Sequence, residues 1–564
     1  MTFRPAIAEQ RFVLDHIVGL EAISSEAAEM ADAILEGAGD LAVGAWAPLE
    51  RLGDVEGPRR TEAGVTMPAG FVDAYQAYVD GGWGTIGAPV AFGGQGLPAS
   101  LSVAVIETLG TANMGFALGP ILTGGAVEAL VHHGSPAQQA AYLPHLCSGA
   151  WMGTMNLTEP QAGSDVGAVR CRAEPVGDGT YRIKGTKIFI SFGDHDLAEN
   201  IIHLVLARTP GAPTGTKGLS LFLVPKYRLD PEGLPGGAND VRTVSIEHKL
   251  GLHASPTCVL SFGDNDACIG ELIGEEGGGI RAMFTMMNNA RLNVGLQGVQ
   301  VAERATQRAI LYARERIQGG RGGASVAIIE HPDVRRMLLR MKAQTQAARA
   351  LVYYAFGQLD RAHAGEAAAS RRVDLLTPLA KAHATDLGNE VASLGVQVHG
   401  GMGFIEETGA AQHFRDARIT PIYEGTNGIQ AADLVGRKLC MDNGETLFGL
   451  LGEMRVEVRH GELLRLIDLC EGIARRLLTS VPDDRLAASY PFLTMLSVAV
   501  AGWLMERGGT IAEQAGGDPA FLAMKRSSAR FYLEQIVPEA TGLAAAASAS
   551  AAALYEIDAD TLAA

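Results

Sequence analysis

Residues 155–167 read Met-Asn-Leu-Thr-Glu-Pro-Gln-Ala-Gly-Ser-Asp-Val-Gly, and they fall where a helical texture gives way to short β-type runs. Runs at 181–183, 188–190, 201–207, 220–224 and 258–262 are rich in Ile, Val, Leu, Phe and Tyr and are separated by Gly, Pro and Asp clusters. This pattern predicts a compact antiparallel β domain. Residues 230–239, with two prolines and three glycines, read as a surface excursion between its strands. Upstream the pattern is helical: Phe12, Ile17 and Leu20 repeat at helix spacing, as do apolar residues within 71–78 and 101–109. The break at Gly93-Gly94-Gln95-Gly96 has neither the lysine of a phosphate loop nor the third glycine of a dinucleotide fingerprint, so it reads as a loop.

Beyond Gly277-Gly278-Gly279 helices resume and run long. Gly295, Gly298, Ala302, Ala305 and Ala309 put a small-residue stripe on one face, which permits close helix approach, and Val334, Met337, Leu338, Met341 and Leu351 mark the apolar side of the next helix. A third helix is expected from about Pro378 to the stop at Gly400-Gly401, and a fourth beyond Glu424. The fold class is therefore mostly α with a central β domain. An N-terminal helical domain spans 1–150, the antiparallel β domain 151–275, a four-helix bundle 276–440, and an extra C-terminal helical domain 441–564. No internal repeat is present.

At 564 residues the chain exceeds a single hydrophobic core, so several domains are expected. Hydrophobic residues make up 47% and charged residues 19%, a globular balance rather than a disordered one. A net charge of −17 gives no electrostatic footprint for nucleic acid or anionic lipid. Cys147, Cys171, Cys258, Cys268, Cys440 and Cys470 form no CxxC pair, so no zinc site or disulfide framework is indicated and the thiols read as reduced core residues. His132-His133 lacks the neighbours of a metal site, and no metal is assigned. The N-terminus carries Glu9 and Asp15 and no signal-peptide core, so a cytoplasmic protein is expected. The apolar run 493–504 is too short to span a bilayer and reads as a buried helix.

The chemistry concentrates at Tyr423-Glu424-Gly425-Thr426, on a short break between two helical stretches. Gly425 frees the backbone beside the carboxylate and lets a ligand approach, while Tyr423 can wall Glu424 off from water and raise its pKa. A loop glutamate is ordinarily solvated surface. The other motifs, taken together, reverse that expectation.

The segment 155–167, Lys184-Gly185-Thr186-Lys187-Ile188-Phe189-Ile190-Ser191, Leu250-Gly251 with Ser255-Pro256-Thr257, the helix after Arg291, Gln397-Val398-His399-Gly400-Gly401-Met402-Gly403-Phe404, Arg415-Asp416-Ala417-Arg418 and Tyr423-Glu424-Gly425-Thr426 together resemble the acyl-CoA dehydrogenase flavoprotein family, in order, over roughly residues 40–440. The resemblance implies FAD lying across the β domain and the bundle, an acyl-CoA substrate, and α,β-desaturation in β-oxidation. Glu424 would remove the α-proton while flavin N5 takes the β-hydrogen as hydride, the thioester oxygen being met by the Glu424 backbone N–H and a ribityl hydroxyl. Relatives that place the base before the arginine of the first bundle helix would use position 290, which is Ala290 here.

By the same carry-over Leu157, Thr158, Gly163, Ser164, Phe189, Ser191 and Thr426 would hold FAD, with Thr158 at the pyrimidine edge, Ser164 at the pyrophosphate, and Phe189 and Ser191 flanking the ring. Arg316, Gln397 and Gly401 match positions that reach the adenosine-diphosphate part across a subunit boundary, which implies a homodimer, and Ser164, Arg291, Tyr423 and Gly425 would touch substrate. The chain departs from the family pattern at Ile317, Gln318, Pro332 and Gly428; with its long tail these departures resemble an enlarged bacterial subgroup. Short thioether, straight-chain and aryl-propionyl thioesters all stay open. The implied electron acceptor is electron-transfer flavoprotein; an oxidase using oxygen shares the same residues. A DNA-binding relative of the fold carries an added C-terminal domain, but from residue 441 onward there are seventeen acidic against ten basic residues, the wrong sign for phosphate binding.

Overall fold

The structure is a computed structural model that describes residues 3–564. Its principal helices before the sheet are α1 (Ile7–Val13), α2 (Ser25–Leu41), α3 (Phe71–Asp80), α4 (Ala99–Ala112), α5 (Met114–His133) and α6 (Pro136–Ser148). Eight strands follow: β1 (Trp151–Asn156), β2 (Arg172–Pro175), β3 (Thr180–Ser191), β4 (Asn200–Ala207), β5 (Ser220–Pro225), β6 (Val241–Ile246), β7 (Thr257–Phe262) and β8 (Ile269–Ile273). After them come α7 (Gly279–Glu315), α8 (Pro332–His363), α9 (Ala367–His399), α10 (Asn427–Asp433), α11 (Gly461–Thr479), α12 (Ser489–Gln514) and α13 (Pro519–Phe531). The chain is mostly α with a central β domain. Packing divides it into two compact units: one holds the residues up to 33, 98–107 and 291–564, the other 34–97 and 108–290.

The second unit is built on the sheet, in the order β6-β7-β3-β8-β5-β4-β1 with β2 paired to β3. The runs at 181–183 and 188–190 prove to be parts of the single strand β3, and the excursion at 230–239 closes as a hairpin of Tyr227–Leu229 with Pro235–Ala238. The sheet is antiparallel in every pairing but one. β1 and β4 run parallel, from Trp151↔Asn200 to Asn156↔Val205, because the loop after β1 and the β2–β3 hairpin return the chain to the starting end of β1. Parallel strands require such a crossover, and local alternation does not reveal it. β4 and β5 are buried at every position and are apolar apart from Asn200 and His203 in β4 and Ser220 in β5. Helix α5 packs on β1 through small residues: a Cβ at Gly153 would sit 2.4 Å from Ala126 Cβ. α5 is long and apolar enough to cross a membrane, yet most of it is buried inside this unit, which accounts for its apolar character on all sides.

In the first unit α7 from Arg291 onward, α8 and α9 form a bundle completed by α10. The small-residue stripe of α7 lies against the α9 backbone. A Cβ at Gly295 would fall 2.9 Å from the Ala380 carbonyl oxygen, one at Gly298 2.1 Å from the Ala384 carbonyl oxygen, and Gly388 answers from α9 against Gly298. Helix α9 starts at Ala367 and not near Pro378. Pro378 removes one internal hydrogen bond, and burial of Leu375, Leu376 and Leu379 around it carries the helix through. Helix α12 is buried from Phe492 to Met505 and packs on α8 and α9. Charges tie the ends of the chain into the same unit: Lys525 Nζ of α13 lies 2.7 Å from Glu9 of α1, and Arg349 of α8 bridges Glu107 and Glu303 at 2.8 and 2.9 Å. All of these side chains are buried, where an ionic group is tolerated only if paired.

Two stability outcomes follow from these contacts. Gly298→Ala forces α7 and α9 apart and should cost about 2 kcal/mol, read as a lower urea midpoint; a wild-type midpoint would contradict the close approach. Lys525→Met leaves Glu9 buried without its ammonium and should cost about 3 kcal/mol, partly recovered by adding Glu9→Gln. No recovery in the double variant would count against the pair.

Candidate functional site

Glu424 stands on the turn that leads into α10, with φ 55°, and Gly425 follows at φ 85°. A left-handed conformation at a non-glycine residue costs about 1–2 kcal/mol and persists only where neighbours fix it. Here they do so from several sides within the first unit. Arg291 Nε of α7 donates to the Glu424 carbonyl at 3.4 Å, and the Tyr423 hydroxyl donates to Gln297 Oε1. Gln430 Nε2 donates to the Gly425 carbonyl at 3.3 Å, and Asn427 N–H to the Pro421 carbonyl at 2.9 Å. Thr426 caps α10 by accepting from Ile429 N–H at 3.1 Å. Position 425 needs glycine because its φ is positive, a conformation that side chains rarely adopt.

The Glu424 carboxyl is partly buried, and desolvation pushes its pKa up to about 7 against the opposing pull of the Arg291 guanidinium and the Lys381 ammonium. A carboxylate with that pKa exists in both protonation states near neutrality and can accept a proton without being trapped as a weak base. Lys381 of α9 is fully buried, and burial brings its ammonium down to about 7. Sequence reasoning missed Lys381; the available signal was a lone lysine inside the apolar helical run 375–382. It also missed Glu128 on α5 in the second unit, another carboxyl raised to about 7 by burial, which accepts from Asn289 Nδ2 at 2.6 Å.

In the second unit, Leu157 and Thr158 leave β1 and run beside β3: the Thr158 carbonyl accepts from Ile188 N–H at 2.9 Å and the Leu157 carbonyl from Lys187 Nζ at 2.9 Å. Glu159 anchors the loop that follows. Its buried carboxylate accepts from Arg170 N–H at 2.7 Å, Cys171 N–H at 3.0 Å and Lys187 Nζ at 2.8 Å. Burial would raise the Glu159 carboxyl, but Lys187 and these N–H groups outweigh it and hold the pKa low. The pair Glu159–Lys187 lay outside the sequence reading. The anchored loop exposes Gly163 and Ser164, with nothing within 4 Å of a Cβ placed on Gly163. Phe189 leaves the plane of β3 at φ 61° and is 60% exposed, two residues before partly buried Ser191.

The structure thus sets Thr158 beside the last part of β3, which carries Phe189 and Ser191, with Gly163 and Ser164 on the loop that follows Thr158. An exposed aromatic face beside hydroxyl groups suits a planar heteroaromatic ring with a polar rim, and a glycine–serine turn with open amides suits a phosphate. The donor set fits FAD. Arg316, Gln397 and Gly401 belong to the first unit, at the ends of α7 and α9; all three are exposed, and among the described residues no hydrogen bond links them to one another. The two helices run parallel and end side by side, Tyr312 stacking on His399 at 4.3 Å, so the three positions share one end of the bundle.

The chain matches the family profiles described as acyl-CoA dehydrogenase N-terminal domain over residues 56–150, middle domain over 154–265 and C-terminal domain over 277–439, and acetyl-CoA dehydrogenase C-terminal like over 457–558. It is 46% identical to a 3-methylmercaptopropionyl-CoA dehydrogenase of Ruegeria pomeroyi, across 96% of this chain and 97% of that protein. A butyryl-CoA dehydrogenase of Syntrophomonas wolfei is 37% identical across 86% of this chain and 84% of its own length. A solved acyl-CoA dehydrogenase from Bacillus anthracis, complexed with FAD, superposes with a TM-score of 0.75 at 22% identity, covering 100% of this chain and 94% of that one, and so shares the fold throughout. The chain belongs to the acyl-CoA dehydrogenase family.

Proposed function

We propose that this protein is an FAD-dependent dehydrogenase that desaturates an acyl-CoA thioester between Cα and Cβ, with Glu424 as the base. The observation that carries this reading is the Glu424 carboxyl itself: held on a strained turn and lifted to about 7 between two cations. Glu424 takes the α-proton through its carboxylate. The electron pair left on Cα spreads toward the thioester oxygen, and a donor aimed there lowers the barrier. The Glu424 backbone N–H is supported in that role because it has no acceptor among the described residues. Gly425, with no side chain, lets the thioester approach the turn, and Tyr423, held by Gln297, screens it from water.

Thr158, Gly163, Ser164, Phe189, Ser191 and Leu157 would hold the flavin, with Thr426 joining them and Arg316, Gln397 and Gly401 reaching the adenosine part from a second subunit. When bound, FAD supplies an oxidised ring that accepts the β-hydrogen as hydride at N5. The exposure of Arg316, Gln397 and Gly401 supports a homodimer, and six free cysteines support a reducing, cytoplasmic setting. The reading includes 3-methylmercaptopropionyl-CoA as substrate, supported by the Ruegeria relative, and electron-transfer flavoprotein as acceptor in a β-oxidation-type step.

Glu424→Gln preserves shape and removes the base. It should retain bound yellow flavin while reduction by acyl-CoA falls about a hundredfold to ten-thousandfold in stopped flow. Reduction near the wild-type rate would overturn the assignment and direct attention to Glu128. In the wild type the active form is the carboxylate, so the reduction rate should fall as pH drops through about 7; a rate independent of pH there would contradict the raised pKa. Among a panel of acyl-CoAs with a dye acceptor, 3-methylmercaptopropionyl-CoA should give the highest kcat/KM, and a clear preference for long straight chains would reject that substrate.

A further inference from the structure

Asn427 opens α10 three positions after Glu424 and spends both ends of its amide on partners of α9. Its Oδ1 accepts from Lys381 Nζ at 2.8 Å, and its Nδ2 donates to Asp386 Oδ1 at 2.8 Å, to Thr385 Oγ1 at 3.0 Å and to the Ala382 carbonyl at 3.1 Å. The amide orientation is fixed by chemistry, since an ammonium only donates and a carboxylate only accepts. The other oxygen of Asp386 accepts from the hydroxyl of Tyr490 at 2.7 Å. Tyr490 lies in the first turn of α12, in the C-terminal extension, so a continuous chain of hydrogen bonds runs from that helix to the residue that closes the Glu424 turn.

Lys381 is the unusual member. It is fully buried, its hydrogen-bond partner Asn427 is neutral, and a buried ammonium is costly without a countercharge. The anions facing it are Glu424 from the turn and Asp386 from its own helix, while Arg291 of α7 opposes it. Glu424 in turn faces Arg291 and Lys381, and Asp386 faces Tyr490, Arg418 and Lys381. A merely structural clamp on Asn427 would be served by any neutral donor; an ammonium whose charge reaches Glu424 also favours the ionised form of that carboxyl.

We propose that Tyr490, Asp386, Asn427 and Lys381 form a positioning relay through which the C-terminal extension fixes the Glu424 turn and sets the basicity of its carboxylate. The relay rests on Glu424 being the base. It gives the extension a part in the chemistry of the bundle: the Tyr490 hydroxyl opposes the rise that burial imposes on the Asp386 carboxyl, Asp386 orients Asn427, and Asn427 holds the Lys381 ammonium whose charge acts on Glu424.

The test is the pH profile of flavin reduction by acyl-CoA in the FAD-loaded full chain, compared among wild type, Lys381→Met, Tyr490→Phe and Glu424→Gln. Removing the Lys381 charge should move the acid limb to higher pH by about one unit. Tyr490→Phe, at a half-exposed position that tolerates the change, should move the same limb in the same direction by less, with flavin content and KM unchanged. An acid limb that stays in place in Lys381→Met overturns the relay even if kcat falls. If that variant does not fold, an unmoved limb in Tyr490→Phe overturns it, and a shift supports it. Glu424→Gln separates the two levels of the argument: reduction retained in that variant means the base reading has failed, whereas its loss together with unmoved limbs in the other two means that only the relay has failed.

Discussion

The close approach of α7 and α9 is the constraint on which the site depends. With Gly298 set against the Ala384 carbonyl, at a distance that leaves no space for a methyl group, the two helices run nearly in backbone contact. Arg291 and Gln297 project from α7, and Lys381, Thr385 and Asp386 from α9; the turn from Tyr423 to Asn427 is bonded to both helices. A wider spacing would leave the turn bonded to one helix only, and Glu424 would relax out of its left-handed conformation. Small residues in the bundle therefore govern the geometry of a carboxylate that is distant from them in sequence.

The electrostatic consequence is a balance. Desolvation raises the Glu424 carboxyl, and two cations restrain the rise, so that it stops near neutrality instead of becoming a permanently protonated acid. Arg291 is itself lowered by burial, so each charge in the group depends on the others for its stability. Such a cluster contributes little net stability to a fold, since desolvation offsets attraction.

Much of this was legible in the sequence, for identifiable reasons. The helix–sheet–helix order follows from periodicity and the Gly295–Ala309 stripe from the spacing of small residues, whereas the glycine and aromatic beside Glu424 single it out only in company with the other family motifs. What escaped depended on tertiary contacts that carry no local signature. The parallel pairing of β1 with β4 is a matter of topology. The start of α9 before Pro378 reflects packing that overrides a helix breaker. Lys381 resembles any helical lysine until the bundle closes over it, and Glu159 becomes an anchor only when Lys187, on a different strand, lies beside it.

The central claim is that a proton leaves Cα of the thioester for a carboxylate poised near neutrality. Stopped-flow bleaching of the bound flavin with acyl-CoA deuterated at Cα, followed across pH, tests it most directly. The account predicts slower bleaching with the deuterated substrate at every pH and a rate that climbs as pH passes through about 7. Identical rates for the two substrates with no inflection in that range would contradict it.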